Sequence, residues 1–154
     1  MFNAPEWSAQ TEAQLMAAGW HKGRRDTGRV AQWRRKLEKP AGFRMSMAAE
    51  RALEEFGGIR VDCQGPGLEC ARGGFDLDPE LASGEEGRLG AFRDQVGSDL
   101  FPLGEAYSGE AFLAMDGIGR VYLLGDRIQL LGTNIHSALD SIVVGRLPKE
   151  IAGT

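Results

Sequence analysis

Three groups of residues have the types and spacings that chemistry would need. The stretch "AFLAMDGIGRVYLLGD", Ala111 to Asp126, places Gly117 and Gly119 between two apolar runs, as a phosphate-cradling loop would. His136 and Asp140 stand one helical turn apart, the spacing of a general base and its orienting carboxylate. Cys63 and Cys70, with His21 and His136 elsewhere, could compose a zinc site.

Each group lacks something its chemistry requires. A dinucleotide fingerprint needs a third glycine and a helix directly after it, but the third position is Tyr122, and "RVYLLGD" has the aromatic and β-branched texture of a strand. Gly117 and Gly119 are therefore expected to be hairpin residues supplying positive φ. Gly57 and Gly58 follow a helix, where carbonyls gather and the dipole repels anions, so capping is expected there, with Gly57 left-handed. Six residues separate Cys63 from Cys70, which is not the knuckle spacing of structural zinc. If "QGPG" between them is a tight hairpin, the two face each other across paired strands, as free thiols. His136 and Asp140 flank an apolar stripe and are expected to form a partly exposed ion pair. Ser137 and Ser141 repeat their spacing, yet nothing brings either serine to His136. No catalytic residue, metal ligand or cofactor is expected.

The elements that must position these residues can be read from periodicity. Ser8 to Ala18 predicts a capped helix with Leu15 and Ala18 inward, Gly19 as its stop and Trp20 as a core anchor. From Asp26 to Lys39, Val30, Trp33 and Leu37 share one face of a basic helix ended by Pro40. A third helix runs from a Ser46 cap through Met47, Leu53 and Phe56. "IRVDC" and "FDLD" alternate as strands, and Ser83 to Val96 predicts a short helix through Leu89, Phe92 and Val96. "LFPLGEAY", "AFLAMD", "RVYLL" and "RIQLL" follow with connections too short for parallel crossovers, so an antiparallel meander is expected. A last helix, capped by Thr133 and stopped by Gly145, turns Ile135, Leu139 and Ile142 inward. The expected class is α+β: N-terminal helices, an antiparallel β-meander and a C-terminal helix. One domain is expected over residues 8–148, with 1–7 and 149–154 as terminal extensions.

Charge is unevenly placed along the 154 residues. Nine basic residues between His21 and Arg44 (Lys22, Arg24, Arg25, Arg29, Arg34, Arg35, Lys36, Lys39, Arg44) oppose only Asp26 and Glu38, a local net of +7. Ten carboxylates between Glu69 and Glu110 oppose three arginines, a local net of −7. Such a dipole bears on encounter with charged partners and not on fold. No apolar run approaches the roughly 18 residues of a membrane helix. The N-terminus lacks a basic flank followed by an apolar run, so a cytoplasmic location is expected.

In order, "LMAAGW", a basic helix, "EEFGG", "FDLDP", "FPLGE", "AFLAMDGIGRVYLL" and "LLGTNIHSALDSIVVG" resemble the SUKH superfamily, specifically the third subfamily of its SMI/KNR-like bacterial immunity proteins. The resemblance covers roughly Leu15 to Pro148. It departs after "RVYLLGD", where Arg127 and Ile128 replace a tryptophan that relatives often carry. It implies an α+β fold around an antiparallel sheet and a non-enzymatic protein that neutralises a toxin by binding it. Toxin partners of the family are varied, and many are nucleases or deaminases.

The partner expected is thus a cognate protein toxin, with no membrane and no nucleic acid. The expected toxin-binding residues are Asp76, Asp78, Glu80, Glu85, Glu86, Asp94 and Asp99, which would mimic phosphate charge before a basic active site. Two other classes stand as alternatives. The Arg34, Arg35 and Lys36 face could bind nucleic acid, and the His136 region could serve a small hydrolase or transferase.

Overall fold

A computed structural model describes residues 7–38 and 42–151. Pro40, the expected helix stop, lies outside the described residues. Helix α1 (Ala9–Ala17) is capped by Ser8, which accepts from the Thr11 amide, and α2 (Thr27–Glu38) buries Val30, Trp33 and Leu37 as its spacing predicts. Helix α3 (Met47–Phe56) starts at its Ser46 cap. Short strands β1 (Arg60–Val61) and β2 (Phe75–Asp76) follow, then a 3-10 turn (Pro79–Ala82) and α4 (Glu86–Val96). The meander is β3 (Leu100–Ala106), β4 (Ala111–Asp116), β5 (Val121–Leu124) and β6 (Ile128–Gly132). Helix α5 (Ile135–Val144) leads to a strand the sequence does not signal, β7 (Lys149–Glu150).

The seven strands among the described residues form one antiparallel sheet in sequence order, the expected α+β arrangement. Alternation along β4 divides the core. Leu113 and Met115 join Leu15, Trp33, Phe56, Leu139 and Ile142 on the face that carries α1, α2, α3 and α5. Phe112 and Ala114 join Tyr122, Leu124 and Ile128 on the opposite face, under α4 with Leu89 and under Ala82 of the 3-10 turn. Burial on both faces explains why β4 and β5 are nearly continuous apolar runs instead of alternating ones.

Helix ends differ from expectation by one residue in two places. Gly57 leaves α3 extended, at φ −58° and ψ 136°, and Gly58 is the left-handed residue at φ +85°. The Trp33 ring and the Leu53 carbonyl crowd Gly57, so the turn passes to Gly58, whose amide reaches the Leu77 carbonyl at 2.7 Å. The carbonyls of Glu55 in α3 and of Gly57 just past it instead accept from the Arg24 guanidinium at 2.6 and 2.8 Å. At α5 the cap is Asn134 and not Thr133: Asn134 Oδ1 accepts from the Ser137 amide at 2.8 Å, and the Ser137 hydroxyl closes a capping box. Gly145 is left-handed at φ +78°, as expected.

The expected hairpin around "QGPG" is absent. One bond, from Arg72 N to Gly65 O at 2.8 Å, closes the loop on itself, and four others run from it to the C-terminus of α5. Val144 O accepts from Leu68 N, Gly145 O from Glu69 N and Cys70 N, and Ile142 O from Gly73 N. Arg72 Nε reaches Val143 O at 3.0 Å. The orphan carbonyls of a buried helix end are thereby satisfied by one loop.

Candidate functional site

The glycines of the opening motif belong to a turn built on a buried carboxylate. Gly119 has φ +97°, but Gly117 does not have positive φ, so only one of the two supplies the expected geometry. The Asp116 side chain has no solvent exposure. Its Oδ1 accepts from Ile118 N at 3.1 Å and Arg120 N at 2.9 Å, and its Oδ2 from Arg120 Nε at 2.7 Å and Tyr122 OH at 2.9 Å. The Ile118 and Arg120 amides and the Arg120 Nε, donors that a phosphate loop would offer, are engaged by this carboxylate. Burial, then the bond to Asp116, pushes the Tyr122 phenol up to about 12.

His136 and Asp140 do not pair. Asp140 is 6% exposed and turns to the first helix, where Oδ1 accepts from Ser8 N, Ser8 Oγ and Thr11 Oγ1, while Oδ2 accepts from Arg146 at 2.9 Å. The expected ion pair fails because Ser8 and Thr11, more than 120 residues away in sequence, bring three donors to one oxygen. His136 Nε2 lies 3.5 Å from Glu55 and its ring sits among Trp7 and Phe56, at centroid distances of 5.1 and 5.4 Å. Ser137 is occupied in the α5 cap. This corner is a packed junction of α1, α3 and α5.

Burial pushes the Glu55 carboxyl up, but hydrogen bonds from His136 and Trp20 outweigh it and hold the group below its ordinary value of 4.5. A depressed carboxyl contributes stability above its unfolded pKa and loses it as pH falls through the folded value. Unfolding midpoints measured between pH 6 and pH 3 should therefore fall below pH 4.5, and less steeply in Glu55→Gln. The difference will be small, because the side chain remains 31% exposed and solvent screens it. Identical pH profiles for the two proteins would reject it.

Cys63 and Cys70 are partly exposed free thiols that do not face each other across paired strands. Val61 pairs with Phe75, so Cys63 already lies in the α5-capping loop, and Cys70 donates its amide to Gly145 O. Among the described residues no three His, Cys, Asp or Glu side chains gather as metal ligands would. On the basic helix, Arg34 pairs with Glu50 at 2.6 Å and Lys36 with Glu80 at 3.1 Å, leaving Arg35 of that trio without an ion pair among the described residues.

The acidic residues divide between two settings. Cross-strand register aligns Arg60 with Asp76 and Asp76 with Glu105, and Glu105 continues to Phe112 on the α4 face. A cleft of about 570 Å³ opens there, with Asp62, Asp76, Glu105, Arg60 and Leu81 in its walls. Asp62 and Glu105 are absent from the expected set. The remaining expected residues follow the 3-10 turn and α4: Asp78 caps the turn through the Glu80 amide, and Glu80 takes Lys36. Glu85 and Glu86 stand at the α4 N-terminus, where the helix dipole favours them, and Glu86 accepts from the Gly84 amide. Asp94 is 82% exposed beside Arg93, and Asp99 is exposed before β3. Asp78 and Glu80 thus have structural partners, Asp94 and Asp99 are exposed, and Asp76 and Glu85 are half-buried.

Among the described residues no helix is long and apolar enough to cross a membrane. No curated protein and no solved structure matches the chain. The family described as SUKH-3 immunity protein does match, across residues 7–145, which takes in every helix and β1 to β6. With that span, and with the helix-flanked antiparallel meander in place, the chain belongs to the SUKH-3 immunity protein family.

Proposed function

We propose that the chain acts in the cytoplasm as a non-enzymatic antidote, binding a cognate bacterial toxin and covering its active site. The acidic face formed by Asp76, Asp78, Glu80, Glu85, Glu86, Asp94 and Asp99 is the contact surface. A nuclease or deaminase, whose site must attract phosphate, supplies the complementary positive charge. The observation that carries this reading is the cleft where Asp62, Asp76 and Glu105 outnumber Arg60 beside the α4 carboxylates. Carboxylates that line a concave wall focus potential toward an incoming cation more strongly than scattered surface charge.

The test is association kinetics with the cognate toxin domain, identified as the one from which the chain protects cells. The double reversal Glu85→Lys and Asp94→Lys should slow association about tenfold or more at low salt and flatten its dependence on ionic strength, because steering is lost. An unchanged association rate for a correctly folded variant would sink the acidic face as the contact surface. Protection of cells co-expressing the toxin is the accompanying readout.

A further inference from the structure

The end of the β4–β5 hairpin carries a feature that charge steering leaves unused. Ile118 is 76% exposed at the tip, and Met47, the first residue of α3, is 69% exposed. The two elements meet: a methyl placed on Gly119 would sit 3.7 Å from the Ala48 Cβ. Neither residue is loosely held. Ile118 rides on a turn whose amide is fixed by the buried Asp116 carboxylate, and Met47 follows the Ser46 cap. Exposed apolar side chains on a fixed backbone offer a partner surface that it can bury without reordering the turn or the helix end.

The surroundings specify the partner's chemistry. Arg51 lies one turn beyond Met47 on the same face of α3, and Arg44 precedes the Ser46 cap. Both are exposed, and neither has an ion pair among the described residues. Arg120, across the turn from Asp116, keeps 43% of its side chain exposed. The tip also adjoins the acidic face: Leu100 pairs with Asp116, which brings Asp99 to the same end of the sheet. One partner can therefore span both surfaces.

We propose that the Ile118 and Met47 rim is the apolar anchor of the toxin interface, fitting a socket on the toxin bordered by carboxylates. This rests on the toxin-binding function proposed above and divides the labour of binding. The acidic face sets the rate of encounter, and the rim sets the lifetime of the complex.

The experiment is biolayer interferometry of the full chain against the same cognate toxin domain, immobilised. Ile118→Ser and Met47→Ser should each speed dissociation about tenfold with association unchanged, whereas Ile118→Leu should stay within about twofold of the parent. Arg51→Glu should slow association through repulsion by the carboxylate border. Melting curves confirm folding, which exposed side chains of this kind leave intact. If the parent binds and the serine variants dissociate at its rate, the anchor is overturned while toxin binding stands. Unchanged association of Arg51→Glu overturns the carboxylate border, and a parent that does not bind overturns both readings.

Discussion

Asp116→Ala should lower the unfolding free energy by about 1–3 kcal/mol, the range for leaving a buried hydrogen-bond donor without its acceptor. Four bonds end on this carboxylate, and one comes from the Tyr122 hydroxyl, on a residue that is 3% exposed. Alanine leaves that hydroxyl without its acceptor, releases Arg120, and frees the Ile118 and Arg120 amides that shape the turn. Urea denaturation followed by tryptophan fluorescence measures the loss, and a change below about 1 kcal/mol would remove the network from the stability account. The phenol provides a separate readout. Tyr122 ionises near 12 in the folded protein, so its contribution is complete below its ordinary value of 10 and lost as pH rises through 12. Without Asp116, absorbance titration of the chain's two tyrosines should show Tyr122 moving down toward 10.

Gly104→Ala should cost about 3 kcal/mol or more, through a different mechanism. Gly104 has φ +151° and sits at the register shift in β3, where a Cβ would run into the Asp76 carbonyl and fall 2.9 Å from the Asp78 amide nitrogen. An added methyl would overlap that carbonyl, and backbone on both sides cannot yield as a flexible side chain could. The damage should extend to the β2–β3 pairing and the Asp78-capped turn. Gly117→Ala is the matched control, since a Cβ there meets nothing within 4 Å and no positive φ is required. It should stay within about 0.5 kcal/mol of the parent, and a similar loss at both positions would refute the backbone clash.

The contrast between these two glycines shows what a single sequence can carry. Periodicity placed all the long elements, because Val30, Trp33 and Leu37, or Ile135, Leu139 and Ile142, announce a buried face without reference to anything distant. Short connections then sufficed for the meander. What stayed hidden depends on which remote groups meet. Arg24 caps a helix more than 30 residues away, the "QGPG" segment serves α5 instead of its own strands, and Asp140 belongs to α1 and not to His136. Local turn chemistry at "QGPG" suggested a hairpin, and tertiary hydrogen bonding overrode it.

The candidate surface was legible only in part for the same reason. Net charge located the acidic half, yet a count along the chain could not separate Glu80, held by Lys36, from Asp94, which faces solvent. Asp62 and Glu105 enter the cleft through strand register, which a composition window does not contain. Ile118 reads as one more apolar residue until the turn is seen to project it.

The junction of Ser8 and Thr11 with Asp140 bears on when the fold can close. During synthesis α1 leaves the ribosome long before its anchor on α5 has been made, and the loop that closes α5 waits equally for its helix. Contacts of such sequence separation form late and slowly. A chain still on the ribosome therefore lacks this junction, and the α1 end of the fold closes only after α5 has been released.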